Sequence, residues 1–455
     1  MKNNINIKKN TVYEVIIDGW SNDGSGVCHI DGFAVFVPGT IIGEKWEIKI
    51  LKVSNTAIYA KALNCLNSSP DRIIPKCPQF GMCGGCSTAH ITYEAELKFK
   101  LESVNNALKH IGHLNYHVDS ILGSSSPDHY RNKSITSVGL NKNSEPICGF
   151  YRKHSHDIIS SDNCYLQKKL SNEINNFIIN WIKEHKIKPY DELTGKGILR
   201  HIFIRESIYT DDVVVCLTCA RGFGSLTEIL INDLTSAFPP LTGIVLNINK
   251  DKGNGIIKGD FYTLFGRDYI TDYLNGIKFN ISVQSFYQVN PPQAEILYNK
   301  VLEFANLNGT QNVVDLYCGT GTIGLCIAKN AKKVIGIEIV EDAIKNAKLN
   351  AKTNYIENVE FICSDADKID KSLLDDYKPD VIIVDPPRKG LGNNTIDLLI
   401  NCRPQKIVYV SCNPATLARD LSTLTNSNYS ISASVAVDMF PRTYHVETVV
   451  LLTKF

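Results

Sequence analysis

From about residue 271 to the C-terminus, short apolar, β-branched runs alternate with helical stretches at near-regular spacing. NVVDLYCG, KKVIGIEI, VEFICSD, DVIIVDPP and KIVYVSC each end in polar or glycine residues, and VEDAIKNAKLNAKT lies between two of them as a helical pattern. Near-continuous apolar strands separated by helices build a doubly wound, mostly parallel sheet. Ligands of such sheets sit outside the carboxyl ends of the strands. The residues that close each run are therefore the ones to read for function.

At 455 residues the chain has room for about three domains. It is 44% hydrophobic and 21% charged, which excludes wholesale disorder and fibrous classes. TVYEVIIDGW, GVCHIDGFAVFVPG, EKWEIKILKV and TAIYAKALNC are rich in Val, Ile, Thr and aromatics and are broken by SNDGSG, PGT and GE. About five short strands predict a small closed barrel over residues 1–66, a shape that buries its own edges. Residues 67–270 mix patterns. Ala95, Leu97, Leu101, Val104 and Leu108 mark a helix, SNEINNFIINWIKEH a second, and GILRHIFIRES and DDVVVCLTCAR two strands. The expected architecture is α/β: an OB-like N-terminal β-barrel, a central α+β domain, and a Rossmann-like domain over residues 271–455. The segment 94–122 is a candidate to leave the central domain and pack on the last one.

The 48 basic residues face 47 acidic ones, a net charge of +1. A generic nucleic-acid binder is usually strongly basic, so any RNA contact here must rest on locally clustered Lys and Arg. MKNNINIKKN has no apolar core for a signal peptide, and nowhere do about 18 apolar residues run together. A cytoplasmic monomer without membrane contact is expected. In a reducing compartment its 14 Cys are thiols, metal ligands or catalytic groups rather than a disulfide framework.

The first alternating strand runs into Asp315-Leu-Tyr-Cys-Gly319-Thr-Gly321-Thr-Ile-Gly324. Glycines after a strand let the backbone turn tightly and approach a ligand at a helix N-terminus. The second strand ends at Glu338, at the spacing where a carboxylate accepts hydrogen bonds from ribose hydroxyls. The third ends at Asp365. These features fit an adenosine cofactor, NAD or S-adenosylmethionine. Asp315 before the turn, and the lack of an obvious second nucleotide-binding half, favour S-adenosylmethionine.

The fourth strand ends as VIIVDPPRKGL and the fifth as IVYVSCNPATLARD. Paired prolines after Asp385 stiffen a loop. Cys412 follows an apolar strand and precedes Asn-Pro, which places it at the strand end, facing the cleft. Cys318, Cys326, Cys363 and Cys402 read as buried structural thiols. Beside a methyl donor a thiolate has a specific use. The C5 carbon of uracil is a poor nucleophile; a thiolate added at C6 makes an enolate whose C5 attacks the methyl group. A base must then take the C5 proton so that the thiolate can leave. Glu447, in YHVETVVLL ahead of a final apolar strand, is the candidate.

Cys77-x5-Cys83-x2-Cys86 is the sharpest signal of the middle region. Three thiols so close, in a Gly-rich and Pro-bounded loop, point to a metal. Spacing leaves zinc and iron–sulfur open, with Cys65, Cys148 or Cys164 as fourth ligand. Cys216 and Cys219 lie in a strand-like run, where residues three apart point to opposite faces, and read as structural. HYRNKS (129–134) and GFYRKHSH (149–156) set Arg131, Lys133, Arg152 and Lys153 among aromatics, a composition suited to unstacked bases.

DLYCGTGTIGL, GIEI, DPPRKG, SCNPATLARD and HVETVVLL together resemble the RNA uracil-5-methyltransferase family. SFYQVNPPQAE resembles the segment that leads into its catalytic domain, and GSGV, DGFAVFVPG and GE its TRAM RNA-binding barrel. The resemblance implies Cys412 as nucleophile and Glu447 as proton-abstracting base. It implies Gln288, Tyr317, Glu338 and Asp385, with Asp365, as S-adenosylmethionine contacts, and gives Asp385 a second role beside the uracil. It makes Phe286 an aromatic on which a base stacks and puts Arg131 and Lys133 on the RNA path. Thr322 stands where some members carry Asn. Cluster-bearing members hold a [4Fe–4S] group on a Cys-x5-Cys-x2-Cys set and a distant fourth Cys; SSDNCYLQ matches that site, so Cys77, Cys83, Cys86 and Cys164 are the implied ligands. The same resemblance implies the 23S rRNA branch, since tRNA members typically lack both barrel and cluster. The rivals are a tRNA enzyme, a cytosine-5-methyltransferase, and a non-catalytic RNA-binding or ribosome assembly factor.

Overall fold

The computed structural model describes residues 7–54, 56–153, 155–251, 255–369 and 371–455. The start of the N-terminal polar segment and His154 of GFYRKHSH lie outside them.

The N-terminal strands pair in the spatial order Val12–Ile16, Lys45–Val53, Ile58–Asn67, Phe33–Val37, Gly26–Ile30, Gly19–Trp20. This is a six-stranded sheet; the sequence pattern shows one fewer because the last strand is two residues long. Its two edge strands are consecutive in the chain, so the sheet curls until its ends meet at Ile17 and Asp18. Ile17, Cys28, Val35, Val37, Ile48 and Ile50 fill the interior. A glycine is required at Gly26, where a Cβ would sit 2.1 Å from Thr40 Oγ1.

The central sheet has seven strands, in the order Ile158–Ser160, Pro146–Tyr151, Lys133–Leu140, Leu199–Glu206, Val213–Cys219, Leu241–Ile248, Asp260–Gly266. Its pairings are antiparallel except Val213–Cys219 with Leu241–Ile248, which the helix Thr227–Ala237 connects. One face is covered by this helix and by Lys169–Glu184, through Ile174, Ile178, Leu230 and Leu234. The other face, through Phe203, Val214, Cys216 and Val245, joins the core of the C-terminal region. Cys216 and Cys219 thus belong to cores on opposite faces.

The C-terminal sheet runs Val359–Cys363, Lys333–Glu338, Asn312–Leu316, Val381–Val384, Lys406–Ser411, Glu447–Lys454, Tyr429–Val437, Ile121–Leu122. The first five strands are parallel, as the alternation predicts. The last hairpin is antiparallel. Residues 121 and 122 add the final strand, parallel to Tyr429–Val437. The helix Tyr93–His110 is capped by Thr92, whose side chain accepts the Ala95 N–H, and carries Glu94 and Glu96 in its first turn. Its Val104 and Leu108 join Leu417, Ala418 and Leu421 of the helix Pro414–Thr425 in one core. Among the described residues no helix is long and apolar enough to cross a membrane.

Candidate active site

The strand ends converge on one cavity of about 1410 Å³. Gln288, Tyr317, Glu338, Asp365, Asp385, Cys412, Glu447 and Phe286 all line it. Cysteines at other positions are distributed differently. Cys326 is buried and Cys318 is buried but borders this cavity, whereas Cys402 is half-buried and Cys363 exposed, both contrary to the expectation of a buried thiol. The outermost strand of the sheet leaves Cys363 one covered side fewer.

One half of the cavity is a glycine turn. Tyr317, Gly319 and Gly321 adopt positive φ of 64°, 54° and 79°. At Gly321 a Cβ would meet the Phe361 ring at 2.7 Å as well. Glu338 Oε2 accepts the Gly319 N–H at 3.2 Å and Oε1 the Val340 N–H at 2.9 Å. The carboxylate is thereby aimed, with a lone pair left on each oxygen. Asp365 caps the short turn that follows it. The Tyr317 hydroxyl lies 3.3 Å from Thr395 Oγ1, and the Tyr298 hydroxyl 3.1 Å from Thr322 Oγ1, so Thr322 is engaged by its neighbour.

The other half is built by two linked turns. Asn413 Oδ1 accepts the Ala415 N–H and Pro414 occupies the first helical turn, which is why Asn-Pro follows Cys412. Asn413 Nδ2 also donates to the Arg388 carbonyl at 2.9 Å, fastening the Asp-Pro-Pro-Arg loop to the cysteine turn. Ser411 pairs with Thr448, so Cys412 and Glu447 leave adjacent strands at the same edge. Glu447 is 6% exposed. Burial, then Asp385, raises its carboxyl well above the usual range, and Arg388 opposes this. Burial pushes Asp385 up to about 7. The Cys412 thiol is pushed up to about 12 by burial, then by Glu447 and Asp385, with Arg388 pulling it down. Arg388 NH2 lies 3.1 Å from His445 Nε2, and burial, then Arg388, holds His445 down at about 4, neutral at physiological pH. Arg388 and His445 had no role assigned from sequence, although both stand inside the quoted motifs. A cation one position after Asp-Pro-Pro was the available signal.

Cys77, Cys83, Cys86 and Cys164 line a second cavity, of about 400 Å³. Cys65 is exposed on the barrel and Cys148 is buried in the central core, away from it. Among the described residues no three His, Cys, Asp or Glu side chains stand as a site for a metal ion. Burial first, then the other cysteines, raises the Cys83 and Cys86 thiols. The Gly85 N–H points at Cys83 Sγ, 3.4 Å away. Arg131 and Lys133 line this cavity and not the larger one. Lys133 is lowered to about 8 by burial, then by Arg205 and Arg131.

The profile of the tRNA (uracil-5-)-methyltransferase family matches residues 258–455, and that of the TRAM domain residues 8–63. A Clostridium tetani chain described as an uncharacterized RNA methyltransferase is 41% identical over 100% of this chain and 99% of its own length. One from Clostridium acetobutylicum, with the same description, is 43% identical over the same shares. The chain belongs to the RNA uracil-5-methyltransferase family. Among solved structures, the Pyrococcus abyssi tRNA (uracil-54, C5)-methyltransferase in complex with S-adenosyl-L-homocysteine is 29% identical. It covers 97% of this chain and 99% of its own, with a TM-score of 0.78. This uracil-5-methyltransferase, named for tRNA, matches along nearly the whole chain. The match runs through the barrel residues as well as the C-terminal ones.

Proposed function

We propose that this chain methylates C5 of a uridine in RNA through a covalent bond between Cys412 and uracil C6. The observation that carries the reading is the meeting of Cys412, Glu447 and Asp385 in one cleft with the glycine turn and Glu338. S-adenosylmethionine, held by Gln288, Tyr317, Glu338, Asp365 and Asp385, supplies an electrophilic methyl group. The acidic ends suit ribose hydroxyls, and the cavity is large enough for a nucleoside and a base together. Cys412 adds to C6 as thiolate. Arg388 lowers the cost of that thiolate in a site that otherwise raises it. Asp385, whose carboxyl burial pushes up to about 7, sits beside the uracil. Glu447 then takes the C5 proton, and its raised affinity for protons suits a base acting in a buried site. Phe286, 67% exposed at the cleft, offers a face for stacking.

In the same reading Cys77, Cys83, Cys86 and Cys164 hold a [4Fe–4S] cluster. The four cysteines line one cavity, burial and the neighbouring cysteines raise the Cys83 and Cys86 thiols, and a cationic iron–sulfur core would hold them as thiolates. Arg131 and Lys133 contact the RNA flanking the target rather than the target base. The proposed substrate is 23S rRNA. A tRNA substrate is the second reading, favoured by the likeness to the Pyrococcus abyssi enzyme. Mass mapping of 5-methyluridine in 23S rRNA and tRNA from a strain lacking the gene tests both. Loss from one RNA names the substrate; retention of every 5-methyluridine in both refutes the reaction.

A further inference from the structure

Glu447 begins its strand opposite Val437, the last residue of the preceding one. The strap 438–446 runs between them, and the N-terminal helix Tyr93–His110 ties it down. Asp438 Oδ1 accepts a bond from Lys100 Nζ at 2.6 Å, and Oδ2 one from the Tyr93 hydroxyl at 2.7 Å. Lys100 Nζ also donates to the Phe440 carbonyl at 3.1 Å and to Glu96 Oε1 at 2.8 Å. An ammonium has three protons; all three are engaged, two of them by the strap. Glu96 Oε1 in turn accepts the Arg442 N–H at 2.7 Å. The side chains of Lys100, Glu96 and Asp438 have no exposed surface, and none of the three lines the cleft.

Burying these charges brings little net stability over apolar packing, since desolvation offsets attraction. What the network does bring is direction: the bonds that reach Asp438, Phe440 and Arg442 fix atoms of the segment that leads into Glu447. Phe440 and His445, on the same strap, line the cleft. We propose that Lys100 is a positioning residue for Glu447, a role that rests on the reading of Glu447 as the base. In the step concerned the C5–H bond breaks and its proton goes to the Glu447 carboxylate. Its electron pair forms the C5–C6 double bond, and the C6–S bond breaks with its pair returning to Cys412 as thiolate. A displaced carboxylate slows this step and leaves the addition and methyl transfer before it in place.

The test uses Lys100→Met, with Asp438→Asn as the milder change should the first not fold. Both are compared with the wild-type chain on unmodified tRNA and 23S rRNA transcripts tritiated at uridine C5. The expected result is cofactor binding unchanged, tritium release slowed about tenfold or more, and a covalent protein–RNA species enriched to a similar degree on denaturing gels. Folded variants that release tritium at the wild-type rate overturn the proposal. So does slower release with no build-up of the covalent species, which marks a merely structural role. A wild-type chain that forms neither 5-methyluridine nor covalent species on either RNA overturns the reaction itself, and this role with it.

Discussion

Asp315 accepts the backbone N–H of Gly324 at 2.9 Å, tying the first alternating strand to the helix beyond the glycine turn. The carboxyl is fully buried, and burial pushes it up to about 8. Asp385 is pushed up to about 7, also by burial. Both folded-state values lie above the unfolded one, so the folded chain holds protons that the unfolded chain has released. Their contribution to stability is complete below about pH 4 and is lost as pH rises through about 7 to 8. The cofactor-free chain should melt at a lower temperature at about pH 9 than at about pH 6, and Asp315→Asn should flatten that fall. Calorimetry across the range measures it; an equal fall in the variant refutes the assignment.

Cys412→Ala should abolish both methylation and the covalent species. Glu447→Gln should still form the covalent species and accumulate it, with turnover lowered by about 10²–10⁴. Denaturing gels with labelled RNA read both. Undiminished methylation by Cys412→Ala removes the thiol from the mechanism.

Much of this site was legible because its signals are local. A strand and its closing residue are neighbours in the chain, so Glu338, Asp365, Asp385 and Cys412 announce their positions by where apolar runs stop. The Asn413 cap and Pro414 explain one another within two residues. What could not be read depends on distant partners. Lys100 and Asp438 meet across 338 positions, and a lysine within a helical pattern reads as solvated. Residues 121 and 122 are too short a run to mark a strand; they become one by lying beside Ala436 and Val437. Arg131 and Lys133 share a motif with Asn132, which bonds the Gln288 carbonyl at 3.1 Å, yet their own side chains line the cysteine cavity. Arg131 and Asn132 precede the strand that Lys133 opens, and nothing in so short a basic segment marks which way each side chain turns.

Anaerobically prepared chain should carry about four irons, with the visible absorbance of a thiolate-bound cluster. Cys86→Ser or Cys164→Ser should lose it, whereas Cys65→Ser and Cys148→Ser should keep it, since neither of those thiols lines the cavity. One zinc per chain and no iron would replace the cluster with a single ion.

Phe286→Ala should weaken RNA binding roughly 5- to 150-fold, the loss of one stacked base at about 1–3 kcal/mol. The ring is exposed and bears no core load, so thermal stability and cofactor affinity should hold. Filter binding with unmodified transcripts, beside cofactor titration, separates the two effects; equal affinity of variant and wild type removes Phe286 from the RNA contact.

The tie between Lys100 and Asp438 also sets a timetable. At about 5–20 residues per second, the helix that carries Lys100 leaves the ribosome tens of seconds before the residue that neutralises it. During that interval Lys100 has Glu96 beside it and water around it, and the apolar face bearing Val104 and Leu108 has no sheet to cover. The C-terminal sheet meanwhile lacks its last hairpin, the surface on which residues 121 and 122 dock. The barrel closes on its own residues, but the helix Tyr93–His110 and residues 121 and 122 wait uncovered until the last hairpin arrives, and only then can the catalytic edge close.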